Sequence, residues 1–125
     1  MKKYTLILTL ILLVGCANYI LPTAKELQDE GIVNETSEIQ SIIRARNNLT
    51  NACLDCHRVT YPQELSKQGW ERVLPPMIQK ARLGKQAMDD IYFYIDKTMQ
   101  CVELRKQKEL EKQKALEMQQ AQSAN

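Results

Sequence analysis

The longest regular pattern in this sequence is a set of apolar residues at helical spacing in its C-terminal half. They recur at i, i+3, i+4, i+7, i+11 and i+14, and they are Met88, Ile91, Tyr92, Ile95, Met99 and Val102. This spacing places the side chains on one face of a helix, and we expect that face to be buried against other helices. No segment alternates with the two-residue period of a strand. The sequence therefore predicts an all-α fold.

Two earlier helices and a tail complete this prediction. A first helix is predicted from Ser37 to about Leu49, because Ser37 opens a capping-box sequence. A second helix is predicted around Trp70, and Pro75-Pro76 is expected to end or kink it, since proline lacks the backbone N–H that a helix needs. From residue 103 the apolar face is lost, so residues 103–125 are predicted to form a charged, extended C-terminal helix.

The N-terminus has the features of an export signal. Lys2 and Lys3 precede an apolar run, residues 5–14, of about ten residues, a length typical of a signal peptide. The sequence Leu13-Val14-Gly15-Cys16 resembles the lipobox of bacterial lipoproteins, which implies a signal peptide over residues 1–15 and a lipid on Cys16. In that family the next residue influences sorting, and Ala17 in this position implies the outer membrane. The alternative is an uncleaved transmembrane anchor over residues 4–21.

The chemistry predicted from the sequence lies in Cys53-Leu54-Asp55-Cys56-His57. This is C-x-x-C-H, the attachment pattern of haem c, and His57 is the only histidine in the chain. Two thiols three positions apart can each form a thioether to one haem vinyl group, and the following imidazole can then bind the iron. Export supports this interpretation, since cytochromes c mature outside the cytoplasm. The alternatives are a structural Cys53–Cys56 disulfide, a thioredoxin-like redox pair and a zinc site that includes Cys101.

Together with its surroundings, the motif resembles small, single-haem, class-I-like bacterial cytochromes c. The matching residues are Cys53, Cys56, His57, Pro62, Trp70, Met77 and Tyr94-Ile95. The resemblance implies a covalent haem c with His57 as the proximal iron ligand. It also implies a downstream methionine as the distal ligand, for which Met77 is the first candidate and Met88 the second.

Size supports the same interpretation. The helical core of roughly 65 residues is small for a domain that folds without a disulfide, a metal or a cofactor to stabilise it. A covalent haem would provide that stabilisation. We therefore expect a tether over residues 16–36, a cytochrome c-like haem domain over residues 37–102 and the tail beyond it.

The expected function is electron transfer by a lipid-anchored carrier that is not itself an enzyme, although it could be a subunit of a redox complex. The expected partners are redox proteins in the periplasm or at the outer membrane. Nucleic-acid binding is not expected: the net charge of +2 is accounted for by Lys2 and Lys3. Cys101 has no role in the predicted haem site or lipid anchor, and a disulfide-linked dimer through it is one possibility.

The alternative function is that of a haem-free helical lipoprotein, with a structural Cys53–Cys56 disulfide, that acts as an assembly subunit. A third is a haem-based ligand sensor with an open sixth position.

Overall fold

The computed structural model describes residues 19–123. Within that range the chain forms helices and no strand, so the all-α prediction is confirmed, as is the extended C-terminal helix. The four α-helices are α1 (Ala24–Asp29), α2 (Thr36–Thr50), α3 (Lys67–Lys80) and α4 (Lys85–Ser123). Two short 3-10 helices, Ala52–Asp55 and Pro62–Glu64, lie between α2 and α3. The signal peptide and Cys16 lie outside the described residues.

The segment predicted as a tether is part of the core from Pro22 onward. Thr23 caps α1 through a capping box with Glu26, and Gly31, at a φ of +73°, turns the chain after the helix. Leu27 and Val33 are both fully buried. The sequence predicted a tether with a possible helical turn or two, and the structure packs this short helix against one side of the core.

Helix α2 begins earlier than predicted and packs mainly against α4. The carboxylate of Glu38 accepts hydrogen bonds from the backbone N–H groups of Asn34 and Glu35, at 3.0 and 3.2 Å. The helix start is thus stabilised by Glu38, and the predicted box at Ser37 is not used. The buried face of α2 consists of Ile42, Ala45 and Leu49.

Helix α3 runs through Pro75-Pro76 without ending. These two prolines have no backbone N–H to donate to the carbonyls of residues 71 and 72. Those two carbonyls therefore lack a hydrogen bond within the helix. Residues 71, 72, 75 and 76 are all exposed, so water can satisfy those carbonyls. Of the two predicted effects, an end or a kink, the end is therefore wrong: the helix continues because the prolines lie on its solvent side.

Helix α4 buries a face that differs from the predicted one. Its buried residues are Asp90, Ile91, Tyr94, Ile95, Thr98 and Cys101, whereas Met99 is 41% exposed. Arg105 and Lys108 form ion pairs with Glu30, so contacts with α1 extend past the predicted boundary at residue 103. Within residues 19–123, no helix is both long enough and apolar enough to cross a bilayer.

Candidate functional site

The C-x-x-C-H sequence lies directly after the end of α2. Cys53 is part of the first 3-10 helix, and Cys56 is its C-cap residue. Cys53 is buried, whereas Cys56 and His57 are exposed. Burial, together with the neighbouring Cys56, raises the pKa of the Cys53 thiol. The tight turn therefore holds one thiol against the core and leaves the other at the surface.

The imidazole of His57 has one nitrogen engaged and one available. Its Nδ1 lies 2.6 Å from the backbone carbonyl oxygen of Arg58. A carbonyl only accepts hydrogen bonds, so Nδ1 carries the proton in this contact. In the neutral imidazole Nε2 then keeps its lone pair, which the exposed ring can offer to a metal. This hydrogen bond selects the tautomer that an iron ligand requires.

The loop that follows His57 is fixed to the second 3-10 helix. The guanidinium of Arg58 donates two hydrogen bonds to the carboxylate of Glu64, at 2.9 and 2.8 Å. This pairing is the main reason why the pKa of Glu64 is lowered. In addition, the indole N–H of buried Trp70 donates to the carbonyl oxygen of Pro62 at 2.9 Å. These contacts hold the motif in place relative to α3.

A cleft of about 260 Å³ lies between the motif and the C-terminal half of α3. Its lining residues are Ala52, Cys53, Cys56, His57, Met77, Lys80 and Ala81. The structure thus brings the predicted distal ligand, Met77, to the same cleft as both cysteines and the histidine. Met88 does not line this cleft; it lies on α4, half-buried against the hydrophobic core. Of the two candidate methionines, only Met77 is placed beside the motif.

Cys101 does not line this cleft. Cys101 is fully buried on α4, and burial raises the pKa of its thiol. A disulfide between two copies needs a sulfur that reaches solvent, so this burial weighs against the predicted Cys101 dimer.

Alternative uses of the cysteines can be compared with the observed geometry. Cys53, Cys56 and Cys101 are all free thiols, so the Cys53–Cys56 disulfide is not formed in this structure. Among residues 19–123, no three His, Cys, Asp or Glu side chains are grouped so as to hold a metal ion.

Lys80 is a cleft residue that the sequence analysis did not identify. It lies three positions, about one helical turn, after Met77 on α3. Helical spacing alone would have indicated that the two share a face. The ammonium of Lys80 places a positive charge at the edge of the cleft.

Comparison of the chain with protein-family models, with curated proteins and with solved structures gives no match.

Proposed function

We propose that this chain is a membrane-tethered c-type cytochrome that transfers electrons through one covalently bound haem. The observation that carries this proposal is the cleft that gathers Cys53, Cys56, His57 and Met77. Two thiols, an imidazole and a thioether are the donor groups that attach haem c and ligate its iron. These four side chains come from two separate segments, so their proximity is a property of the fold and not of the motif alone.

The residues at the cleft fit haem c in two respects. The two cysteines are free thiols on one turn, as thioether formation requires. The Nε2 lone pair of His57 is available, because Nδ1 donates to a carbonyl. The volume of about 260 Å³ is below the usual range for ligand pockets, so the cleft would enclose a porphyrin only in part. An exposed edge is where electrons can pass to a partner.

Other side chains at the cleft would orient the haem. The bound haem supplies the redox chemistry, whereas the chain supplies its position and its electrostatic environment. The ammonium of Lys80 can pair with a carboxylate of the porphyrin at the cleft edge. The Arg58–Glu64 ion pair keeps the motif loop, and with it His57, in a fixed orientation.

The proposal includes the cellular location. We propose that Cys16 carries a lipid, and that the protein is exported and anchored at the outer membrane facing the periplasm. Its partners are then redox proteins that give electrons to the haem or take electrons from it. It acts as an electron carrier and not as an enzyme, although it could serve within a larger redox complex.

Covalent haem can be tested directly. The full-length chain is produced in cells that contain a cytochrome c maturation system, and the product is analysed by mass spectrometry and by haem staining of a denaturing gel. We expect one haem per chain. Cys53→Ala and Cys56→Ala should each reduce the covalent haem, whereas Cys101→Ala, which changes a cysteine outside the cleft, should retain it. An unmodified wild-type mass would refute the proposal and favour the haem-free assembly subunit.

A further inference from the structure

The last part of α4 extends beyond the folded core, and nothing else in residues 19–123 covers it. Every residue from Lys106 to Ser123 is exposed, and three apolar side chains are 48–61% exposed: Leu110, Leu116 and Met118. No ion pair among the described residues involves the segment 109–123. A helical segment of this length that neither packs nor pairs its charges is marginal in water. The segment 109–123, which we call the α4 tail, therefore has the character of a docking helix.

An apolar groove of about 660 Å³ lies between the start of α3 and the middle of α4. Its walls are formed mainly by Leu65, Trp70, Tyr92, Phe93, Ile95 and Met99. Two carboxylates, Glu71 and Asp96, also line it, together with Lys67. The groove therefore suits an apolar surface that also carries positive charge.

The α4 tail and the groove lie on the same face of one helix. Eighteen residues make five complete turns, so Leu110 has the angular position of Tyr92, and Lys114 has that of Asp96. Along the axis, however, Asp96 and Lys114 are about 27 Å apart. Because α4 is one uninterrupted helix, a chain cannot bring its own tail to its own groove. A second copy can do so.

We propose that two copies of this chain pair through antiparallel α4 helices, so that the α4 tail of each copy occupies the groove of the other. The midpoint between Asp96 and Lys114 is residue 105, and a two-fold axis there makes the arrangement reciprocal and closed. Asp96 then meets Lys114 of the second copy. Glu103 and Lys106, which lie close to this midpoint on the same face, bring opposite charges together across the axis.

The pairing leaves the contacts within each copy intact. Arg105 and Lys108 bind Glu30 of their own chain, and they project from the side of α4 opposite to the groove. The α4 pair, from residue 92 to residue 118, would be about 40 Å long and about 10 Å wide. This contact is smaller than a standard stable interface, so the dimer should be weak and reversible.

Cross-linking of mixed isotopes tests the register. Full-length protein labelled with nitrogen-15 is mixed with unlabelled protein and treated with a zero-length carbodiimide reagent. We expect Asp96–Lys114 cross-linked peptides that contain one light and one heavy half. Such a cross-link cannot form within one chain, because about 27 Å separates the two residues. Lys112 serves as the control: it projects about 160° away from Lys114 and should not react with Asp96. Absence of the Asp96–Lys114 product, or an equal yield at Lys112, would overturn the proposed register.

Sedimentation velocity of charge variants tests the same contact independently. Asp96→Lys and Lys114→Asp should each weaken dimerisation by about tenfold, since each variant replaces two symmetric attractions with repulsions. The double variant should restore the wild-type dissociation constant to within a few-fold. Leu110→Gln should weaken the dimer, whereas Leu116→Gln, about 120° away on the helix, should not. A wild-type protein that stays monomeric, or a double variant as weak as the single variants, would refute the proposal.

Discussion

The hydrogen bond between Tyr94 and Pro22 is expected to attach the N-terminal segment to the core. Tyr94 is fully buried, and its hydroxyl donates to the carbonyl oxygen of Pro22 at 2.9 Å. Tyr94→Phe removes the donor and leaves that buried carbonyl without its partner. The cost of an unsatisfied buried acceptor is about 1–3 kcal/mol. We therefore expect the free energy of unfolding to fall by about 1–2 kcal/mol at neutral pH.

Urea unfolding followed by far-ultraviolet circular dichroism measures this change. With the urea dependence typical of small domains, the midpoint should fall by roughly 0.5–1 M with an unchanged slope. Tyr92→Phe is the matched control, because the structure shows no hydrogen bond from the half-buried Tyr92 hydroxyl. If the two variants lose the same stability, the Tyr94–Pro22 bond is not the cause of the loss.

The dependence of stability on alkaline pH is a second test of the role of Tyr94. Burial raises the pKa of Tyr94 above its ordinary value near 10. A raised pKa in the folded state means that the contribution of the neutral phenol to stability is complete below about pH 10 and is lost as pH rises above it. The wild type should then lose up to about 1.4 kcal/mol per pH unit more than Tyr94→Phe does. The stability gap between the two proteins should narrow from pH 10 to pH 11, and a constant gap would contradict the reasoning.

Three further predictions concern the anchor, the iron and the tail. Cys16→Ser should abolish labelling with a radioactive fatty acid and leave a larger precursor; a variant that matures to the wild-type mass would argue against lipidation. In the haem-loaded protein, Met77→Ala should remove the weak red charge-transfer band of the ferric form and allow carbon monoxide to bind, whereas Met88→Ala should change neither; unchanged spectra in both variants would exclude methionine as the distal ligand. Truncation after Lys108 keeps both ion pairs to Glu30 and should leave the haem spectrum unchanged, so loss of haem would mean that the remaining tail packs on the cleft.

The sequence predicts the helices better than it predicts their faces. The apolar pattern of α4 identifies a long helix, but the buried face is rotated away from Met99 and toward Tyr94 and Thr98. Polar groups cause this difference. Tyr94 finds a buried acceptor in Pro22, and Asp90 accepts hydrogen bonds from Arg44 of α2 at 2.7 and 3.0 Å. Hydrophobic periodicity does not take such partners into account, because they depend on which segment packs opposite.

At the candidate site, too, the sequence predicts local groupings of residues better than contacts between distant segments. The spacing of Cys53, Cys56 and His57 is local, so the sequence alone identifies them as a group. The proximity of Met77 depends on the packing of α3 beside the motif, and therefore the sequence left Met88 as an alternative. The tautomer of His57 depends on a bond to the carbonyl of Arg58, which has no sequence signal.

The packing of the N-terminal segment limits the distance between the proposed haem site and a membrane. Tyr19 stacks on Tyr61, with ring centroids 5.9 Å apart, and the side chain of Gln63 donates to the backbone carbonyl of Ile20 at 3.3 Å. The first described residues thus lie against the loop that follows His57. Cys16 lies three positions before Tyr19 in the sequence, which is a reach of at most about 11 Å. If Cys16 carries the lipid, as we propose, this loop is held close to the bilayer surface, because no long tether is available. A carrier held in this way would exchange electrons with partners that lie at the same membrane surface, since it cannot diffuse far from it.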